Sequence, residues 1–270
     1  MTTLKVSAQA GALITDIPLG SGGLRYVGFS AHRLAANETL SIASGDDELC
    51  VVILAGKASA QAGGAGGDMQ WEAIGDRKSV FEEKSPYAFY LPAHSNLVLT
   101  GVDAAEIVVA RAPGGPQALP TRLIEPASMK RSVRGSGSNT RYVCDILPET
   151  EPANSLLVVE VITPPGNSSS YPPHKHDADA IPRESRLEET YYHRLNPPQG
   201  FAFQRVYTDE RDLDETMCVE DHDVVKVPRG YHPVVVPHGY TSYYLNVMAG
   251  PIRAWHFHND PQHEWMLQKG

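Results

Sequence analysis

Tyr171-Pro-Pro-His174-Lys-His176 sets two imidazoles two residues apart. On a strand, residues i and i+2 leave the same face, so His174 and His176 can approach a single ion. Downstream, Pro228-Arg-Gly-Tyr-His232 reads as a tight turn feeding a strand, which would hold a third imidazole across from the first two. Between them, Leu187-Glu188-Glu189-Thr-Tyr-Tyr-His193 is a strand-like run led by two carboxylates. Three neutral imidazoles and a carboxylate suit a divalent transition metal, whereas magnesium or calcium would call for mostly oxygen ligands. One such ion (zinc, manganese or iron) is the expected cofactor, and the ligand types do not choose among them. His256 and His258 form a second His-x-His pair, but the first pair already has its downstream partners. His222, in Glu220-Asp-His-Asp223, reads as a solvated turn, and His238 as a turn residue in reserve to His232.

Such ligands need rigid strands to carry them. The chain has 23 glycines and 21 prolines, and these punctuate short runs rich in Val, Ile, Tyr and Phe. The runs are 50–54, 88–91, 96–99, 106–110, 156–162, 201–207, 223–227, 233–236 and 242–248. No long amphipathic helical repeat stands out, and short helical pieces are expected only near 184–189 and 262–268. The class is therefore all-β. Residues 111–134, with Pro-Gly-Gly-Pro and several basic side chains, read as an exposed crossover between two lobes. The expected organisation is a first lobe over 1–115, a linker over 116–134 and a metal-binding lobe over 135–270. The halves echo each other: Glu48-Leu-Cys-Val-Val-Ile-Leu-Ala-Gly56 followed by Tyr90-Leu-Pro-Ala-His94, against Asp223-Val-Val-Lys-Val-Pro-Arg-Gly-Tyr-His232. Duplication of one barrel accounts for this. Glu48 and His94 are too few for a site, so the first lobe is expected to be structural and metal-free.

Composition narrows the partners. With 270 residues, 41% hydrophobic, the chain can bury two cores. A formal charge of −9 leaves no general basic field for a phosphate backbone, so nucleic acid is not an expected partner. No run reaches the ~20 apolar residues of a membrane helix, and the protein reads as cytoplasmic, with no membrane partner. Cys50, Cys144 and Cys218 are odd in number and far apart, which suits reduced, buried thiols rather than disulfides. Exposed barrel edges leave self-association into a homo-oligomer open.

The ligand pattern resembles that of the cupins, whose first motif is His-x-His followed by Glu and Gly, and whose second is Pro-x-Gly followed by His. In the common cupin spacing the glutamate would fall at Ala180 or Ile181, neither of which binds metal. The resemblance therefore implies an insertion over 177–186 that bulges out before the strand resumes. Glu189 is the preferred ligand, because Glu-Thr-Tyr-Tyr matches the cupin strand; Glu188 is the alternative, since a one-residue register change swaps faces.

A closer resemblance runs through most of residues 165–265. His174-Lys-His-Asp, Leu187-Glu-Glu-Thr-Tyr-Tyr-His-Arg, Asn196-Pro-Pro-Gln-Gly-Phe-Ala-Phe-Gln-Arg-Val-Tyr-Thr-Asp, Val227-Pro-Arg-Gly-Tyr-His-Pro, Tyr243-Tyr-Leu-Asn-Val-Met-Ala-Gly and His258-Asn-Asp-Pro together resemble the 5-deoxy-glucuronate isomerases of myo-inositol breakdown. That family is related to the bicupin uronate isomerase of pectin degradation. The resemblance implies a bicupin of two β-barrel lobes that turns 5-deoxy-D-glucuronate, a small uronic acid, into 5-dehydro-2-deoxy-D-gluconate. In such an aldose–ketose isomerisation a metal with two open positions could hold the carbonyl and the adjacent hydroxyl as a Lewis acid, and a base must lie within reach of the carbon that bears that hydroxyl.

Candidates for the base are Glu188, His193, His238, Tyr192, Tyr207 and Tyr244, with Glu188, Tyr207 and Tyr244 taken as catalytic. Arg205 and Arg183 are the candidates to grip the substrate carboxylate, since a guanidinium can do so with two parallel hydrogen bonds. Two rival readings share these ligands: a metal-dependent cupin dioxygenase and a non-catalytic sugar-binding cupin.

Overall fold

The computed structural model describes residues 3–64 and 67–269. Among these residues it is built from strands, and its three helical turns, Pro126–Ser128, Gly137–Asn139 and Glu264–Lys269, are all of the 3-10 type. Each of the nine runs read from the sequence overlaps a strand. The helical piece expected near 184–189 is instead a loop leading into the strand Glu188–Asn196, because Glu189, Tyr191 and Leu195 alternate into the core as a strand requires. The piece near 262–268 coincides with the final 3-10 turn.

Two lobes each pack a large antiparallel sheet on a four-stranded one. In the first lobe the large sheet runs Arg122–Ile124, Tyr87–Leu91, Asp47–Ala55, Ala105–Pro113, Gly28–Leu34 and Leu13–Ile17. In the second it runs Lys5–Val6, Val224–Val227, Glu188–Asn196, Thr241–Ala249, Leu157–Thr163, Arg141–Leu147 and Lys130–Arg134. The two large sheets lie back to back. Leu49, Val51 and Ile53 point into the first lobe's own core, while Cys50, Val52 and Leu54 pack against Val158, Leu245 and Val247 of the second. Burial on both faces explains why Leu-Cys-Val-Val-Ile-Leu is apolar without alternation.

The 116–134 segment, expected as a crossover linker, contributes an edge strand to each lobe. Arg122–Ile124 pairs with Tyr87–Leu91 in the first lobe, and Lys130–Arg134 pairs with Arg141–Leu147 in the second. Lys5–Val6, expected within the first lobe, joins Val224–Val225 of the second. Each exchanged strand supplies partners to backbone groups that a sheet edge would otherwise leave open.

Buried polar anchors lock the lobes together. Glu48 accepts hydrogen bonds from the backbone N–H groups of Asn154, Ser155 and Leu156 at 2.8, 2.7 and 2.6 Å, and from the Tyr90 hydroxyl at 2.8 Å. Arg77 donates to both carboxylate oxygens of Glu160 at 2.9 and 2.8 Å. Cys50 and Cys144 are buried, but Cys218 is exposed, because it stands on the outer face of the strand Asp214–Val219. Among the described residues no helix is long and apolar enough to cross a membrane.

Candidate metal centre

Three segments bring the ligands together in the second lobe. Glu188–Asn196 is a central strand of the large sheet, and Glu189 leaves its inner face with Tyr191 and His193. His174–Lys175 forms a two-residue ladder with His258–Asn259, and His176 follows at once, its carbonyl accepting from Leu187 N at 2.9 Å. The loop 177–186 bulges between these paired residues. Glu184 closes it by accepting from Asp177 N at 2.6 Å.

His232 arrives from a turn that only glycine accommodates easily. Gly230 has φ +96°, and a Cβ there would lie 2.6 Å from the Tyr207 carbonyl oxygen. This close approach lets Tyr231 and Tyr207 exchange backbone hydrogen bonds of 2.7 and 2.9 Å, which fixes the residue just before His232, ahead of the strand Val234–Val235. The turn is also tied to the first histidine segment, since Gly230 N donates to Asp177 Oδ1 at 2.8 Å.

Within the lobe, Glu189 Oε2 lies 3.0 Å from His176 Nε2 and 3.2 Å from His232 Nε2. All three residues are buried, and their ligand atoms lie within 4.8 Å of one another. His176 Nδ1 and His232 Nδ1 each face a backbone carbonyl at 2.8 Å, of Leu187 and Gly230. A carbonyl can only accept, so each Nδ1 carries a proton, and in the neutral ring each Nε2 is a lone pair that an ion can take up, in His176 in place of its hydrogen bond to Glu189. His232 Nε2 makes no hydrogen bond although it is buried. Converging lone pairs beside a carboxylate, with the ring tautomers fixed by carbonyl acceptors, are the chemistry of a transition-metal site, and these residues fit one.

His174 stands beside this trio. Its ring centroid is 4.9 Å from that of His232 and 4.7 Å from that of Phe257, and it lines the same cavity as Glu189. Burial pushes both His174 and His232 down to about 3, which keeps their nitrogens available as ligands at neutral pH. At His176 burial works against the charged form, but the Glu189 carboxylate outweighs it and raises the pKa.

The cavity next to the cluster is walled by Tyr191, Tyr244, Asn246 and Trp255 with Arg134 and Arg141 at one side. Burial raises the hydroxyls of Tyr191 and Tyr244, so both remain protonated. Tyr191 Oη is 2.9 Å from Ser170 Oγ.

Several expected site residues are committed elsewhere. Glu188 faces the other lobe, where it accepts from Arg25 N at 2.7 Å and Tyr26 N at 2.6 Å, so strand alternation removes it from the cavity. Tyr192 shares that outer face and donates to Glu106 at 2.7 Å. The Tyr207 hydroxyl donates to Asp260 at 2.8 Å, and its ring packs on Tyr231 outside the cavity lining. Arg205 is paired outward with Asp214 at 2.8 and 2.7 Å, and Arg183 is exposed on the 177–186 loop.

His193 lies deeper in the barrel, 2.9 Å from Gln204 Oε1, and burial pushes it down to about 4. His222 is not a solvated turn residue: it lies at the lobe junction, 2.9 Å from Asp221 and 3.6 Å from Glu106. His238 is exposed, and His256 and His258 lie outside the three-residue cluster. In the first lobe, His94 is exposed and Glu48 is the anchor already described.

Two antiparallel barrels, one holding a buried imidazole–carboxylate cluster, define a bicupin with one candidate metal centre among the described residues. The same fold occurs in oxalate decarboxylase from Lactobacillus farciminis, at TM-score 0.66 and 13% identity over 96% of this chain and 89% of that one. The chain belongs to the KduI/IolB family, whose model matches residues 2–266. It is 52% identical over 248 residues to the 5-deoxy-glucuronate isomerase of Geobacillus kaustophilus strain HTA426, covering 92% of this chain and 88% of the relative. It is 49% identical over 258 residues to the enzyme of the same name from Bacillus subtilis strain 168, covering 95% and 93%. The crystal structure of an IolB-like protein from Salmonella typhimurium LT2 superposes at TM-score 0.94 with 46% identity, over 98% of this chain and 99% of that one. The protein is thus an enzyme of the isomerase class.

Proposed function

We propose that the chain is a metal-dependent aldose–ketose isomerase that converts 5-deoxy-D-glucuronate into 5-dehydro-2-deoxy-D-gluconate. The observation that carries the metal dependence is the convergence of Glu189 Oε2 with the Nε2 atoms of His176 and His232 at 3.0 and 3.2 Å. These three residues would hold the ion, and His174 beside them would complete the set. A bound divalent ion would supply Lewis acidity toward the substrate carbonyl and the adjacent hydroxyl.

The rest of the chemistry falls to the cavity wall. The reaction moves a hydrogen from C2 to C1 and places negative charge on oxygen along the way. Tyr191 and Tyr244, held protonated by burial, can donate hydrogen bonds to that oxygen, and of Glu188, Tyr207 and Tyr244 only Tyr244 lines the cavity.

Incubation of metal-loaded protein with 5-deoxy-D-glucuronate in deuterated buffer tests the reading. The expected result is the ketose acid. Deuterium at its C1 would assign proton transfer through an exchanging base, and unlabelled product a hydrogen that moves from C2 to C1 without exchange. Full metal occupancy with no ketose formed would overturn the substrate assignment.

A further inference from the structure

Arg134 and Arg141 are cross-strand partners in the ladder between Lys130–Arg134 and Arg141–Leu147. Directly opposite residues of an antiparallel pair share a face, and like charges there are destabilising. Both side chains line the cavity that contains His174 and Glu189. Among the described residues the only carboxylate paired with either is Asp145, 3.7 Å from Arg134. Arg141 is half-buried and spends its Nη1 on Asn139, donating to the backbone and side-chain oxygens at 3.1 Å each. Trp255, in the same lining, buries its indole N–H with no acceptor. Arg134 thus has a long contact to Asp145 and lies 5.5 Å from the centre of the Trp255 ring, whereas the Arg141 guanidinium and the Trp255 indole N–H line the cavity with no anion to accept from them among the described residues.

We infer that Arg141, supported by Arg134, binds the carboxylate of the substrate and makes the site selective for sugar acids over neutral sugars. The inference rests on the isomerase reading for the identity of the acid, but not for the existence of the anion subsite. In a uronic acid the carboxylate is at the far end of the chain from the aldehyde. Held at Arg141, it would leave the aldehyde end to reach toward Glu189, His176 and His232. Arg205 and Arg183 cannot serve: the first is neutralised by Asp214 and neither lines the cavity.

The test uses the full-length, metal-loaded protein and two probes that cannot be isomerised, D-gluconate and D-glucitol, with dissociation constants from calorimetry. The parent protein should prefer D-gluconate at least tenfold. Arg141→Gln should weaken D-gluconate by roughly 30-fold, the loss of a charge-assisted pair, while D-glucitol affinity and metal content stay unchanged. Arg141→Lys should restore part of the preference, and Arg134→Gln should weaken it less than Arg141→Gln.

A parent protein with no preference for the acid, or an Arg141→Gln protein that keeps it, overturns the inference. Turnover of 5-deoxy-D-glucuronate in the same variants separates the two claims. A raised KM with kcat largely kept supports the subsite. An unchanged KM in Arg141→Gln removes the subsite and leaves the isomerase standing. Loss of the gluconate preference in a protein whose parent does not turn over the substrate keeps the subsite and removes the isomerase reading.

Discussion

Glu188 and Glu189 are adjacent in the chain, yet their carboxylates serve opposite faces of one strand. Glu189 meets His176 and His232 inside the barrel, and Glu188 accepts two backbone N–H groups from the other lobe. The pair therefore separates chemistry from stability. Glu189→Gln should abolish stoichiometric metal binding with little change in lobe packing. Glu188→Ala should keep metal and cost about 1–3 kcal/mol of stability, since it removes a buried carboxylate that accepts from two partly buried N–H donors. Elemental analysis and denaturant titration of the two variants check this, and metal loss from the Glu188 variant alone would reverse the assignment.

Asp177 ties the first histidine segment to the Gly230 turn through its Oδ1. Its removal should loosen the relative placement of His176 and His232 without deleting a ligand. Asp177→Ala is expected to weaken metal affinity by about 10–100-fold, the usual cost of losing a group that orients ligands. Competition with a chromophoric chelator measures it, and an unchanged affinity would show that the strands alone set the geometry.

The lobe junction gives stability a pH dependence. Burial opposes the charge on His222, but Asp221 and Glu106 outweigh it and raise its pKa. Its contribution is fully present below the unfolded value of about 6.5 and is lost as pH rises through the higher folded value. Burial also opposes the charges on Glu106 and Asp221, which their partners, His222 and Arg194, nonetheless lower. Their contribution is present above the unfolded carboxylate range and is lost as pH falls through the folded values. His222→Gln should therefore flatten the decline above about pH 6.5 in denaturant midpoints. A decline of unchanged slope would place its origin elsewhere.

Arg205 offers a contrast with Arg141. Its bidentate pair with Asp214 lies on the outer surface, so Arg205→Lys should leave KM unchanged and shift stability by no more than ~1 kcal/mol. A several-fold rise in KM would return it to the site.

Much of the second lobe was legible from sequence because its strands are written in β-branched and aromatic residues between glycine and proline, and because His174, His176 and His232 carry their own spacing. The face of Glu189 followed from a motif, and strand alternation gives it a physical basis. Other features depend on pairing. Ala58–Gly63 and Gly28–Leu34 carry weak strand composition and are strands because neighbours complete their hydrogen bonds. Arg134 and Arg141 carry no signal in one dimension, since their opposition exists only in the register of two strands, one of them inside a segment that reads as a linker. Glu48 and Glu188 look like ligands in one dimension, but each closes backbone donors of the opposite lobe.

The most direct test of the central claim is anaerobic turnover of 5-deoxy-D-glucuronate by protein of known metal content, before chelation, after chelation and after metal is restored, with Glu189→Gln alongside. The account predicts ketose acid formed without oxygen, lost on chelation, recovered with metal and absent in the variant. Turnover that survives complete metal removal, or that persists in Glu189→Gln, would contradict it.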